Sequence, residues 1–203
     1  MQSIEDAFVG KYRVCDYDRA DPPEARREAV VNELAALLEV AAVPGPYVLV
    51  GQSVGGDIAW LYANRYPDEV AGFISMNPGP FRLDREVMEK VWTPDEMAAE
   101  FPEAGSPRDI DSRIVQSADP PPGITYVVML STIAQCGNPT DICGRFYPAY
   151  EAWGREVASR TTQGRFVQVQ AGHEILATHL PEVVAAIEGL LEPAPSGSAL
   201  PSL

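Results

Sequence analysis

The stretch YVLVGQSVGGDIAWLYANRYP, residues 47–67, decides how this chain is read. Tyr47 to Val50 is a compact run of strand formers, set off by the break Pro44-Gly45-Pro46. Gly51-Gln52-Ser53-Val54-Gly55 matches G-x-S-x-G, and Ile58 to Arg65 reads as helix up to a stop at Tyr66-Pro67. Strand, sharp turn and helix in direct succession are what a nucleophile elbow requires. A serine on so tight a turn is held at strained backbone angles. Glycines two before and two after keep side chains from colliding with the neighbouring strand and helix. Gly56 and Ala59 further let the helix pack close to the sheet. The competing reading is a glycine-rich turn whose serine merely caps the helix.

Outward from the elbow, short apolar runs alternate with longer amphipathic ones. Upstream, KYRVCDY (11–17) reads as a strand entering a turn at Asp18-Arg19. Val30, Leu34, Leu37, Leu38 and Ala41 then follow helical spacing within a helix expected from Pro22 to Ala42. Downstream, VAGFISM (70–76) is a continuous apolar strand stopped by Asn77-Pro78-Gly79-Pro80. Strands follow at ITYVVML (124–130) and RFVQVQ (165–170), with helices expected over 145–160 and 181–191. Residues 81–122 are charged and proline-punctuated. Thr93-Pro94-Asp95-Glu96 starts a helix there, and Pro120-Pro121-Pro122 closes a helical insertion over one face of the sheet. The tail EPAPSGSALPSL (192–203) has the composition of a disordered segment. Strands alternating with helices mean parallel pairing, so the expected fold is α/β, a three-layer parallel sheet within one domain over 1–191.

The 203 residues are 46% hydrophobic and 22% charged, ordinary values for a globular chain. Fifteen basic against twenty-nine acidic residues give a net charge of -14. The only lysines are Lys11 and Lys90 and the arginines are scattered. Phosphate backbones and anionic membrane surfaces need a basic footprint, so neither nucleic acid nor a membrane is an expected partner. MQSIEDAFVG lacks the basic and apolar regions of a secretory signal, which reads as cytoplasmic for the chain as written. Cys136 and Cys143 flank GNPTDI and could close a short disulfide loop, which would instead imply an oxidising compartment. Cys15 sits in an apolar-rich stretch and reads as a small buried hydrophobe. Neither G-x-G-x-x-G nor G-x-x-x-x-G-K-[ST] occurs, so no nucleotide cofactor is expected.

A serine hydroxyl needs a base, and the chain has two histidines. His173 follows the strand RFVQVQ in Ala-Gly-His-Glu, at a strand's carboxyl end, where α/β sheets place their sites. His179 lies just before Pro181 and the last helix, and reads as a surface residue. A zinc reading of H-E-x-x-H fails because position 177 is alanine, so no metal is expected. The carboxylate that orients the imidazole belongs in the loop after ITYVVML, whose one acid is Asp141. A local turn in Asn138-Pro139-Thr140-Asp141 is the alternative role for it. After VAGFISM the corresponding position is Asn77, which cannot carry the charge; Asp109 and Asp111 lie in the insertion.

With the elbow and the order Ser53, Asp141, His173, the segments RVCDYDRA, YANRYPDEVAGFISMNP and AGHE make residues 10–191 resemble the α/β-hydrolase superfamily, in its serine esterase, lipase and peptidase-like branch. The resemblance implies a serine hydrolase cleaving an ester, thioester or amide of a small molecule by acyl transfer. Ser53 is then the nucleophile, His173 the general base, Asp141 the orienting acid, and the Val54 N–H an oxyanion donor. Residues 81–122 become a short helical cap, with Gln52, Phe81, Trp92, Met97 and Phe101 as candidate substrate contacts; plain packing competes for the apolar ones. The family's sheet normally has three more strands before residues 11–17, one carrying an H-G-type oxyanion loop, and this chain shows neither. It therefore reads as N-terminally truncated, or as a reduced hydrolase, with 11–17 pairing directly against 47–51. The exposed edge left behind invites a homo-oligomer, and a lost leader would make secretion compatible with the cysteine pair. A non-catalytic ligand-binding or interaction domain that keeps the elbow is the second reading.

Overall fold

The structure is a computed structural model that describes residues 3–19, 27–78, 91–100, 119–132 and 142–191. In chain order the elements are α1 (Ile4–Phe8), α2 (Arg27–Val40), β1 (Tyr47–Gln52), α3 (Val54–Arg65), a 3-10 turn (Pro67–Glu69), β2 (Val70–Met76), α4 (Pro94–Glu100), β3 (Thr125–Ser131), α5 (Ile142–Ser159), β4 (Gly164–Val169), α6 (Ile175–Thr178) and α7 (Leu180–Leu191). The four strands form one sheet in the order β1-β2-β3-β4, every pairing parallel. Successive strands are therefore neighbours, and each crossover carries the chain one place further across the sheet. All carboxyl ends lie on one edge, and the residues that follow them are collected there.

The two central strands, β2 and β3, are almost wholly apolar because both their faces are covered. Along β3, Tyr126, Val128 and Leu130 enter one core while Val127 and Met129 enter the other, the period-two alternation of a strand. The first core gathers Val30, Val31 and Leu34 of α2, Ile58, Trp60 and Tyr62 of α3, Phe73 of β2, and Tyr147 and Tyr150 of α5. The second gathers Phe8 of α1, Ile74 and Met76 of β2, Ile175 of α6, and Val183, Ile187 and Leu190 of α7. Helices thus lie on both sides of the sheet, giving the three layers expected. Arg27 and Asp57, both buried and 3.3 Å apart, tie the start of α2 to the first turn of α3. Asp57 also sits where the positive end of the helix favours a carboxylate.

The amino-terminal segment departs from its expected strand. Ser3 and Asp6 cap α1 reciprocally, Ser3 Oγ accepting from the Asp6 N–H and Asp6 Oδ2 from the Ser3 N–H. Phe8 is buried, and a turn closed by the Lys11 and Tyr12 N–H groups on the Phe8 carbonyl follows. Residues 11–17 then form no ladder, and among the described residues β1 pairs with β2 alone. Val14 packs against the second core and Tyr17 against the first, so side-chain anchoring replaces strand pairing here. The polar residues Arg13, Asp16 and Asp18 leave too few apolar positions to build a two-sided strand. Cys15, expected to be buried, is exposed for the same reason. β1 is half-buried along most of its length, whereas β2 and β3 are buried almost throughout.

Within the insertion, α4 begins where the cap residues place it. Thr93 Oγ1 accepts from the Glu96 N–H, and Glu96 Oε2 accepts from the Thr93 N–H. These bonds, with Arg145 beside it, hold the Glu96 carboxyl below its usual range. The rest of the expected cap, the Cys136–Cys143 pairing and the tail from 192 lie outside the described residues.

Candidate active site

The turn between β1 and α3 has the strain expected of an elbow. Ser53 adopts φ 55° and ψ -123°, a region that L-residues other than glycine rarely enter. Its N–H donates to the Met76 carbonyl at 2.8 Å, extending the β1–β2 ladder by one residue, and the Gly56 N–H donates to the Ser53 carbonyl at 2.9 Å. The Ser53 hydroxyl makes no capping bond to the helix. That removes the capping-serine reading: the residue carries the strain without the local bond that would account for it.

The glycines divide differently from the expectation. A Cβ on Gly51 would stand 2.1 Å from the Gly55 carbonyl oxygen and 2.6 Å from the Gly56 nitrogen, so the turn closes only over a bare α-carbon. A Cβ on Gly56 would meet Ser75 Oγ at 2.7 Å, which sets how closely α3 approaches β2. At Gly55 nothing lies within 4 Å, so steric exclusion explains Gly51 and Gly56 but not Gly55. Val54 is the first residue of α3, where N–H groups have no intrahelical acceptor and the helix presents its positive end.

His173 stands exposed in the loop between β4 and α6, on the same edge of the sheet. Gln52, the residue before Ser53, reaches into this loop. Its Nε2 donates to Glu174 Oε2 at 2.7 Å, and its Oε1 accepts from the Leu176 N–H at 2.9 Å. Both ends of the amide are thereby engaged within the chain, on Glu174 and Leu176, which follow His173. Among the described residues no hydrogen bond joins the Ser53 hydroxyl to the His173 ring; the main chain and Gln52 bring the two segments together.

A second side chain reaches the loop from β2. Asn77, buried at 2% exposure, donates from Nδ2 to the His173 carbonyl at 3.0 Å and more weakly to the Gly172 carbonyl at 3.5 Å. Its Oδ1 accepts from the Ser131 N–H at 2.9 Å and from Ser131 Oγ at 3.1 Å. Ser131 Oγ in turn pairs with the Tyr147 hydroxyl at 2.9 Å. Burial raises the Tyr147 hydroxyl above its ordinary range, and the Ser131 bond partly offsets this. The sequence signal for Asn77 was no more than a strand stop before proline, because its partners lie 54 and 96 residues away.

The remaining candidates separate cleanly. Trp92 is buried and stacks on Phe146 of α5, centroids 5.4 Å apart, as part of the first core. His179 is half-buried at the junction of α6 and α7, its ring beside Thr178 and its carbonyl receiving the Glu182 and Val183 N–H groups. Asp141 follows β3 and immediately precedes α5 in the chain, but it lies outside the described residues, as do Phe81 and Phe101. Of Met97, only the backbone in α4 is described.

A family model described as alpha/beta hydrolase fold matches residues 17–115, a span that includes the elbow and stops before the segments carrying Asp141 and His173. Among solved structures, a thermophilic esterase from Thermogutta terrifontis is 19% identical at TM-score 0.54, over 93% of this chain and 82% of that one. A probable hydrolytic enzyme from Pseudomonas aeruginosa is 16% identical at TM-score 0.54, over 86% and 72%. The enol-lactonase of Burkholderia xenovorans is 17% identical at TM-score 0.51, over 85% and 75%. No curated protein sequence matches. At these identities the structural likeness speaks to the fold. With the parallel sheet, the strained turn after β1 and the family-model match agreeing, this chain has the α/β-hydrolase fold.

Proposed function

We propose that the chain is a serine hydrolase that cleaves a carboxylic ester, thioester or amide of a small molecule by acyl transfer. Ser53 attacks the carbonyl carbon, His173 takes the hydroxyl proton and later returns it to the leaving group, and the oxyanion that forms is met by the Val54 N–H. Asp141 is the acid assigned to orient the imidazole and stabilise its charged form. The observation that carries this reading is the strained, uncapped Ser53 at φ 55°, whose neighbour Gln52 is bonded to Glu174 and Leu176, one and three residues after His173. Catalytic hydrogen bonds are commonly long or misaligned before substrate arrives, so the open Ser53–His173 geometry is compatible with the role.

The test is hydrolysis of p-nitrophenyl acetate and butyrate by the purified chain, beside Ser53→Ala and His173→Ala. The reading expects wild-type turnover well above both variants. Equal rates in all three would defeat it.

One observation favours the second reading, a ligand-binding domain without turnover. Among the described residues no strand flanks the free side of β1, the side from which a second oxyanion donor would come. One missing donor typically costs about 10²–10³ in turnover. Saturable binding of an ester, undiminished by Ser53→Ala and without product, would establish that alternative.

A further inference from the structure

We propose that Asn77 is a positioning residue: its side-chain amide pins the His173 loop to the ends of β2 and β3 and so sets where the imidazole stands relative to Ser53. This rests on the Ser53–His173 reading above. The loop is held from two sides. Gln52 grips Glu174 and Leu176 from the end of β1, and Asn77 grips the carbonyls of Gly172 and His173 from the end of β2. Only the second grip bonds to His173 itself.

The chemistry at position 77 calls for an amide. One end must donate to two carbonyl oxygens and the other must accept from two Ser131 donors, a division that asparagine alone makes at this length. Aspartate keeps the shape but sets a carboxylate oxygen against the two carbonyls, in a site with almost no solvent to relieve the repulsion. Asn77 also has φ 37°, which asparagine tolerates better than most residues, and its own N–H is fixed on the Met129 carbonyl at 2.9 Å. Its backbone therefore cannot follow a displaced loop. The titratable groups around the pin are His173 and Glu174 on the loop and Tyr147 behind Ser131, with the Tyr150 hydroxyl bonded to the adjacent Pro78 carbonyl. Because the Gln52 grip persists without Asn77, losing the pin shifts the imidazole and leaves the loop attached.

The experiment compares wild type, Asn77→Asp and Ser131→Ala in two readouts. The first is the rate at which a fluorophosphonate labels Ser53, measured per folded molecule against probe concentration. A displaced base slows the chemical step, and misplacement by about 1 Å costs on the order of 100-fold. Asn77→Asp is accordingly expected to lower the maximal labelling rate by about tenfold or more, with the half-saturating probe concentration unchanged. A role confined to stability would reduce the folded fraction and leave that rate alone. The second readout is proton NMR of the two imidazoles, assigned with His179→Gln. The His173 signals should shift and broaden in Asn77→Asp while those of His179 stay in place. Should Asn77→Asp fail to fold, Ser131→Ala, which removes one of the two donors to Oδ1, is expected to move both readouts in the same direction by a smaller factor.

The outcomes separate the two claims. If wild-type Ser53 takes no label, the hydrolase reading fails, and the NMR readout still decides whether Asn77 places His173. If wild type labels and the folded variants label at the same rate with an unmoved His173 spectrum, the positioning role is overturned.

Discussion

β1 and β2 end level, Gln52 beside Met76, and the residues that follow them answer the same backbone demand in opposite ways. Ser53 and Asn77 both have positive φ, at 55° and 37°. Asn77 belongs to the few residue types that accept this region readily, it is buried, and both ends of its amide are bonded. Ser53 has no such aptitude, stays half-buried, and its hydroxyl caps nothing. Positive φ at Asn77 is explained by the bonds it allows. At Ser53 no side-chain bond among the described residues explains it, and strain without a structural return is where a chemical role is sought.

The most forceful way to break this comparison is Ser53→Ala. Removing a serine nucleophile costs about 10⁵–10⁶ in turnover, and here it should cost no stability, because the hydroxyl forms no capping bond. Ester hydrolysis and a thermal melt on the same sample check both halves. Gly51→Ala should come next, since the added methyl lands on the Gly55 carbonyl and cannot be relieved by a side-chain rotation. A loss exceeding about 3 kcal/mol is expected, read by urea unfolding.

Glycine replacements sharpen the contrast directly. Asn77→Gly keeps the backbone conformation but strands the Ser131 donors and the His173 carbonyl, for an expected loss of about 2–4 kcal/mol. Ser53→Gly removes strain and leaves no bond unmade, so it should be neutral or stabilising by about 1 kcal/mol. Equal losses in the two melts would erase the distinction between these strand ends.

Smaller effects lie behind the pin. Burial raises the Tyr147 hydroxyl, so ionisation is easier in the unfolded chain than in the folded one. Its contribution to stability is then complete below about pH 10, the ordinary tyrosine value, and is lost as pH rises through the higher folded-state value. Tyr147→Phe, which gives up the bond to Ser131, should cost about 1 kcal/mol at neutral pH. The gap between variant and wild type should narrow in unfolding experiments above pH 10. Gly55→Ala closes the series: with open space at the Cβ position, it should change stability by less than about 1 kcal/mol.

Much of the sheet could be read from the chain because its signals are local. VAGFISM is buried at every residue but Ala71, and its expected bounds, 70–76, are the observed ones. β3, β4 and α7 each fall within one residue of expectation. The segment 11–17 misled because a few alternating apolar residues resemble a strand, yet pairing depends on a partner the local pattern does not contain. The candidate site divides in the same way. Ser53 and His173 announce themselves by motif and by scarcity, and the structure puts their loops side by side. Gln52 and Asn77 could not be assigned their roles, since each depends on atoms some hundred residues away that only the folded sheet brings within reach. Gly55 shows the converse, a motif residue whose local rationale the geometry does not support.

The most direct measurement is intact-mass analysis after incubation with a fluorophosphonate, followed by peptide mapping. The account predicts one adduct per chain, located on Ser53, formed far more slowly in His173→Ala. Folded protein that takes up no adduct, or carries it on another residue, would contradict it.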